Sequence, residues 1–559
     1  MKTPLLPHRI LIGALLAAGF ALVWPGPQAV AAKDSNLEAI DPPDLQRIQT
    51  LSQERPQRIP DVRPLRQRGI QRPTRTRTTT ISEREDRQLQ HRKNELFRQV
   101  VAYLDDNPEE INRFLSRSSY AEFRRAVARG RVENWIASQP QREIRVGRET
   151  FLLQPNHVDL IDLGNTLQMA RDTAHIQRLY ERIHNLLPRR ARDGVPAPQL
   201  LLRMRHEEAR SYLDRIIGIY KRFPVLFDLE LPDPGEFWNT DCSKEIGAPD
   251  SGLTDGASRC EAEDFNSDSL FWNTYFPLRH QHTCIKNQGR RGTCAAFAIN
   301  SLVESKLLGQ TGDAYNLSQQ KTYLFGLKRR TSPDRYIDGL PTTTVMQEFA
   351  SHKTNIQFES VWSYNRSPFR HSLNDEDTPF TYPNSCWGYD GPMCTNFAFQ
   401  GIEELECSGQ APQQTCERVY EYPAGNTDVG AIIDNVTTIK LPGMSVSDAL
   451  DIAIGLLSGV NAEPVLVRFA VYNSYESAAS DGRVGWAEPS EGEEPNGHAS
   501  VLIGFVPNDQ LPEGVSKAEE RGYFILKNSW GINRGDCGYD YVDYEYLRHA
   551  LRNLHAIDV

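Results

Sequence analysis

All nine cysteines of this 559-residue chain lie between Cys242 and Cys537. Disulfides persist in oxidising compartments, so this distribution predicts a cross-linked carboxyl-terminal part. Eight cysteines can pair and one is left over, which in an exported protein indicates an intermolecular link or a reactive thiol. Neither a CxxC pair nor a Cys/His cluster with the spacing of a zinc site occurs, so the sequence predicts no metal site.

The first 32 residues have the pattern of a secretory signal. Lys2 and Arg9 give a positive start, residues 10–24 are an apolar run, and the small residues at 29–31 suit cleavage. The alternative is a membrane anchor, but a run of about 15 residues is shorter than the roughly 20 that span a bilayer. We therefore predict a secreted or periplasmic protein without a stable membrane anchor.

Two further regions precede the cysteines. Residues 33–85 are rich in Pro and Arg, which is typical of a solvated linker. The alternative is an arm that binds a polyanion or the acidic half of the same chain. Residues 86–235 have helical periodicity and predict a small helical domain. Asn107, Pro108 and Glu110 predict one helix start there, and a longer helix beginning near Leu201 is expected to end at Pro224.

The carboxyl-terminal part, residues 260–559, mixes helical and strand patterns and predicts an α+β domain. It carries 23 basic and 39 acidic groups, so its formal charge is -16 (23 minus 39). A nucleic-acid partner requires a basic surface, and this composition argues against one. Glu488, Glu491, Glu493 and Glu494 form an acidic loop, which is either solvated or favours basic peptides beside His498.

One cysteine stands at a predicted helix start. A glycine-containing loop from Asn287 leads to Cys294, and helix-forming residues follow. The positive end of a helix dipole favours thiolate and lowers the pKa of a thiol. Thiolate is the nucleophilic form of cysteine, so Cys294 is the candidate for the unpaired, reactive residue.

Several separated segments resemble the papain-like cysteine peptidases, in that family's order. Gln288 stands six residues before Cys294, at the spacing of the family's oxyanion-hole glutamine. The other segments are residues 317–320, 338–339, 496–505, 523–531 and 535–539. The resemblance implies a two-lobed α+β catalytic domain over residues 260–559, preceded by the mostly helical amino-terminal domain.

The resemblance also implies a role for each matching residue. Cys294 would be the nucleophile, His498 its base, and Asn528 the residue that orients the base. Gln288 would stabilise the oxyanion, Trp530 would shield the His498–Asn528 hydrogen bond and border the substrate, and Gly339 would pair with an extended substrate backbone. The implied reaction is hydrolysis of a protein or peptide through a thioester, without a cofactor.

The chain departs from the family pattern in three places. Arg291 stands where most relatives have a cysteine, and Ala295 stands where most have an aromatic residue directly after the nucleophile. His498 lies 204 residues after Cys294 (498 minus 294), beyond the roughly 130 to 150 expected. An insertion at about 366–430 accounts for the excess, and its four cysteines are expected to pair among themselves: Cys386, Cys394, Cys407 and Cys416.

Three questions stay open from the sequence. Residues 86–235 are either a propeptide or a permanent accessory domain, and they could dock on the catalytic domain. The chain could be a papain-fold binding protein without turnover. It could also transfer the acyl group of the thioester to an amine, as a crosslinker does.

Overall fold

The computed structural model describes most of the chain after residue 82. The described ranges are 83–139, 142–146, 149–223, 241–249, 255–327, 339–364, 404–408, 415–419, 430–459, 461–476 and 481–559. All of them belong to one compact unit, Arg77–Val559. The predicted signal segment, nearly all of the predicted linker and most of the predicted insertion lie outside these ranges.

Fourteen α-helices occur in the described ranges. They are α1 Glu83–Asp106, α2 Arg117–Ala128, α3 Val132–Ala137, α4 Asn156–Met169, α5 Thr173–Leu186, α6 Arg189–Arg192, α7 His206–Tyr220, α8 Leu270–Asn273, α9 Cys294–Thr311, α10 Gln319–Leu327, α11 Thr342–His352, α12 Val446–Ser458, α13 Asn473–Glu476 and α14 Tyr544–Ala550. None of the helices in this part of the chain has the length and apolar character needed to cross a membrane.

The strands form one large sheet and two hairpins. They are β1 Glu143–Val146, β2 Glu149–Leu152, β3 Glu404–Ser408, β4 Thr415–Val419, β5 Asn435–Thr438, β6 Val465–Val471, β7 Arg483–Val484, β8 Asn496–Pro507, β9 Gly522–Lys527, β10 Tyr539–Asp543 and β11 Leu551–Asp558. The large sheet has the order β5-β11-β6-β8-β9-β10-β7, and only the β10–β7 pair is parallel. The predicted α+β fold of the carboxyl-terminal part is confirmed.

The core explains why β6 and β9 have nearly continuous apolar sequences. Strands β6, β9 and β10 are buried along their whole length, and β8 is buried up to its last residue. Helix α9 packs against β8, and its first twelve residues are almost all buried. A strand covered on both faces has no polar face to show, so periodicity alone does not identify it. The helix-sheet contact fixes the start of α9 beside the start of β8.

The amino-terminal region is less purely helical than its periodicity predicts. Residues 143–152 form the β1–β2 hairpin, which the sequence analysis missed. Asn107 does not cap a following α-helix: residues 108–113 form a 3₁₀ helix, and the Asn107 side chain donates to the Tyr103 carbonyl, 2.8 Å away. The helix expected from Leu201 begins only at His206 and ends at Tyr220, before Pro224. The short polar side chain of Asn107 therefore closes α1.

Two disulfides are present among the described residues: Cys242–Cys284 and Cys260–Cys537. Cys294 carries a free, buried thiol. In the insertion, Cys407 and Cys416 face each other in the register of the β3–β4 hairpin. Cys386 and Cys394 lie outside the described residues, so the pairing of these four cysteines stays a prediction.

Candidate active site

Cys294 is the first residue of α9, directly after the loop that carries Gln288. The loop turns through Gly289, whose φ of 59° is accessible to glycine at little cost. Asn287 stabilises this turn, since its Oδ1 accepts from the Gly289 amide at 2.8 Å. The thiol of Cys294 interacts with the backbone N–H groups of Ala295 and Ala499. The second of these amides belongs to the residue after His498, so the packing of α9 on β8 brings nucleophile and base together.

Sheet register places His498 next to Asn528. His498 is the third residue of β8, and Asn528 directly follows β9, the neighbouring strand. The His498 Nε2–H donates to Asn528 Oδ1 at 2.9 Å. Its other ring nitrogen, Nδ1, is buried and has no hydrogen-bond partner among the described residues. Nδ1 is therefore the nitrogen available to exchange a proton with the thiol.

Asn528 is itself held by a buried acid that the sequence analysis missed. Its Nδ2 donates to Asp540 Oδ2 at 2.7 Å, and the Tyr475 hydroxyl donates to the same oxygen at 2.7 Å. Arg534 Nε donates to the other oxygen of Asp540 at 3.1 Å and neutralises its charge. Because a carboxylate only accepts, Asp540 fixes which end of the Asn528 amide faces His498. A positioning chain thus runs from Arg534 through Asp540 and Asn528 to the imidazole.

Gln288 lies across the site, fully buried. Its Oε1 accepts from Ser529 Oγ at 2.7 Å, and its Nε2 donates to the Arg291 carbonyl at 2.7 Å. The Gln288 amide N–H also donates to the Ser529 carbonyl at 2.9 Å. These bonds fix the orientation of the side-chain amide and use one of its two hydrogens. The second hydrogen remains for an oxyanion formed at Cys294.

Trp530 packs against the imidazole of His498. Its ring centroid lies 4.6 Å from that of His498, and the Arg534 guanidinium lies 5.4 Å from the Trp530 ring. Trp530 is 2% exposed. It therefore covers the base and keeps water away from its hydrogen bond. On its other side Trp530 stacks on Phe151 of β2, at 5.2 Å.

The segment that includes Phe151 covers the site. The Gln154 amide N–H donates to the Gly497 carbonyl at 3.0 Å, and the Gly497 amide donates back at 3.3 Å. Gly339, the predicted substrate-pairing glycine, has a φ of 127°, and a Cβ there would come within 2.8 Å of Pro155. We call residues 149–162 the covering segment. It lies where the resemblance places an extended substrate.

Burial sets the protonation of the site. It raises the pKa of Cys294 to about 12, the Asp159 charge raises it further, and the amides of Ala499 and Ala295 lower it. Burial also lowers the pKa of His498 to about 4, although the hydrogen bond to Asn528 acts to raise that pKa. Desolvation disfavours both charged forms. In this form the pair consists of a neutral thiol and a neutral imidazole.

Two other sequence features take structural roles. Arg291, at the position of the missing family cysteine, lies buried with its guanidinium 4.4 Å from the Tyr323 ring centroid. In the acidic loop, Glu493 accepts from the Asn473 amide at 2.8 Å and Glu494 from the Ser116 amide at 3.1 Å. These bonds occupy two of the four glutamates and give no support to a basic-peptide site. Within the described ranges, three or more His, Cys, Asp or Glu side chains nowhere converge to hold a metal.

Neither a protein-family model nor a curated protein matches this chain. Solved structures do. Xylellain, a cysteine protease from Xylella fastidiosa, is 18% identical, with 58% of this chain and 98% of that chain covered and a TM-score of 0.33. Bromelain protease from Ananas comosus, in complex with the E64 inhibitor, is 15% identical, with 50% of this chain and 94% of that chain covered and a TM-score of 0.29. Because both TM-scores lie below 0.5, we base the site on its own geometry.

Proposed function

We propose that this chain is an exported papain-like cysteine endopeptidase, with Cys294 as nucleophile, His498 as general base and acid, and Asn528 and Gln288 in the roles assigned above. One observation carries the proposal: Cys294, a free cysteine, begins a helix beside a histidine whose Nδ1 has no hydrogen-bond partner among the described residues. An attacking thiolate, a proton carrier and an oxyanion donor are what acyl transfer to cysteine requires.

In the proposed reaction, Cys294 passes its proton to His498 Nδ1 and its sulfur attacks the peptide carbonyl. The imidazolium then protonates the leaving amine, and a thioester remains on Cys294. A water molecule, deprotonated by His498, then attacks the thioester. This releases the carboxylic acid product and returns the proton to Cys294. Gln288 and the Cys294 amide donate hydrogen bonds to the oxyanion at each addition step. One such donor typically raises the rate by about 10² to 10³.

We further propose that the covering segment keeps the enzyme latent. It occupies the place of an extended substrate, and it excludes the water that the thiolate and imidazolium forms need. Cys294 and His498 are both 0% exposed beneath it. Displacement of the segment would lower the Cys294 pKa, raise the His498 pKa and open the site. Of the two roles considered for the amino-terminal region, this favours the propeptide.

The proposed function is tested by incubating the purified protein with a peptide library and analysing both library and protein by mass spectrometry. We expect new peptide termini from the wild-type chain once it has been cut between Tyr220 and Cys242, and none from Cys294→Ala cut in the same way. A parallel reaction with an added primary amine distinguishes hydrolysis from acyl transfer, since a transferase would yield amide products. Absence of cleavage, together with Cys294 that resists alkylation even in chains cut upstream of Cys242, would support the binding protein instead.

A further inference from the structure

A buried arginine lies next to the catalytic histidine in the sheet. Arg468 is in the middle of β6, where it pairs with Ala499, and its neighbour Phe469 pairs with His498. The rest of β6 is apolar, and Arg468 is 1% exposed. A buried guanidinium without a counter-ion is strongly unfavourable. The groups that contact Arg468 therefore indicate the chemical class of partner that this position binds.

Both carboxylates that contact Arg468 come from the covering segment. Its two terminal nitrogens make ion pairs with Asp159 and Asp162, which lie one turn apart on α4. Arg468 also donates to the Gln154 side chain at 2.5 Å. Thr342 completes the set, since its hydroxyl donates to Asp162 at 2.8 Å. The cation thus belongs to the catalytic part, and the two anions belong to the segment that covers it.

A second arginine faces the same place. Arg552 of β11 is buried, makes an ion pair with Asp159 and donates to the Pro495 carbonyl at 3.1 Å. A Cβ on Gly497 would come within 2.8 Å of Arg552 Nη1 and would clash with the Asp159 carboxylate. Gly497 is the residue whose backbone pairs with Gln154. Both arginines therefore lie near the start of β8, on its β6 side, where the covering segment meets Gly497.

Resting on the proposed function, we infer that Arg468 and Arg552 form an anion subsite of the substrate cleft, which selects peptides with an acidic side chain and which Asp159 and Asp162 occupy in this form. Planar guanidinium groups suit carboxylates, with which they form paired charge-assisted hydrogen bonds. Once the covering segment leaves, the two cations need new anions. An acidic residue of a bound peptide supplies one in the same geometry.

The inference is tested in the full chain with Cys294→Ala, so that binding is measured without turnover. Asp159→Asn with Asp162→Asn removes the carboxylates that hold the covering segment on Arg468 and Arg552, which weakens its docking and leaves both cations to a peptide that displaces it. Adding Arg468→Gln gives a triple variant in which the cation and its two anions are removed together, which limits the cost to folding. Adding Arg182→Gln to the double variant is the matched control, because Arg182 bridges Glu463 and Asp558 outside the site.

The probes are fluorescein-labelled hexapeptides that carry Glu or Gln at each position in turn, followed by anisotropy. For the best position we expect the Glu peptide to bind the double variant about 10- to 100-fold more tightly than its Gln partner. The preference should persist in the Arg182→Gln control and fall below about threefold in the Arg468→Gln variant. If that variant does not fold, Arg468→Lys replaces it and should show an intermediate preference.

Equal affinity for the Glu and Gln peptides in the double variant would overturn the inference. So would a preference that survives Arg468→Gln, or binding of neither peptide. The double variant with Cys294 intact is assayed for cleavage in parallel. Cleavage without acidic preference refutes the subsite and leaves the peptidase. Acidic preference in binding without any cleavage refutes the peptidase and leaves the subsite.

Discussion

Asp540→Asn should reduce the stability of the protein and disturb the position of His498, the proposed base. Asp540 is 0% exposed and accepts three hydrogen bonds, from Asn528, Tyr475 and Arg534. The substitution keeps the shape but leaves the Arg534 charge buried without its partner. Removing one partner of a buried ion pair costs about 3 to 5 kcal/mol, and we expect a loss in the free energy of unfolding of this size.

The same substitution allows the Asn528 amide to turn its oxygen away from His498. A hydrogen bond to a charged group contributes about 1.5 to 3 kcal/mol. If the substitution removes this whole contribution from the stabilisation of the transition state, kcat/KM falls by roughly 10- to 150-fold. Because Asp540 acts through Asn528 and not on the substrate, the fall should appear in kcat while KM changes little.

The assay is denaturant unfolding of four proteins: wild type, Asp540→Asn, Arg534→Met and the double variant. The double variant should lose at least about 1 kcal/mol less than the sum of the single losses, since it leaves no unpaired charge. Asp451→Asn is the control, because its pair with Arg521 is partly exposed and should contribute less than about 1 kcal/mol. Additive losses, or an Asp540→Asn protein as stable and active as the wild type, would refute the positioning chain.

Four further outcomes are expected. Cys294→Ala should abolish turnover without changing the circular dichroism spectrum, and a folded variant that still cleaves would remove the mechanism. Gln288→Ala should retain alkylation of Cys294 but lose roughly 10² to 10³ in kcat/KM, the usual effect of one oxyanion donor. Burial lowers the pKa of His175 and His498 to about 4 and of His555 to about 3, so the unfolded chain takes up protons that the folded chain excludes. Each histidine should therefore contribute stability above pH 6.5 that is lost as pH falls toward 4, by about 1.4 kcal/mol per pH unit. Asp159 and Glu245 give the opposite slope, because burial raises their pKa to about 7. His555→Gln isolates one histidine contribution, and an unfolding free energy whose change between pH 7.5 and 5 is the same with and without this substitution would contradict it. Thiol counting on the denatured, unreduced protein should find one free group, and three or more would contradict the pairing of the other eight cysteines.

Local motifs predicted the residues that are defined by their immediate neighbours. Cys294 at a helix start and Asn528 at a strand end can be recognised from a few flanking residues. Asp540 could not, because its function depends on Asn528 and Arg534, which reach it only through the β9–β10 pairing. A single Arg468 in an apolar run does indicate a buried charge. Its partner Asp159 lies in a distant region, and periodicity assigned that region to a separate helical domain.

The hairpin β1–β2 was missed for a related reason. Its strands are only four residues each, and the predicted helical pattern on both sides was extended across them. What holds the hairpin in place is contact with the carboxyl-terminal part, in particular Phe151 on Trp530 and Glu149 with Asn287, 3.0 Å apart. A short strand stabilised by distant residues leaves little trace in its own sequence.

The Cys260–Cys537 disulfide gives the chain an unusual covalent topology. It joins two residues 277 positions apart in the sequence, and the covalent ring that it closes contains Cys294, His498 and Asn528. A protease cut in the insertion at 366–430 would open the backbone, yet both fragments would stay joined and the site would keep its covalent frame. No cysteine precedes Cys242, so no disulfide would hold a fragment cut off on the amino-terminal side of that residue. One cut between Tyr220 and Cys242 would leave the covering segment attached by non-covalent contacts alone, free to dissociate as an intact polypeptide.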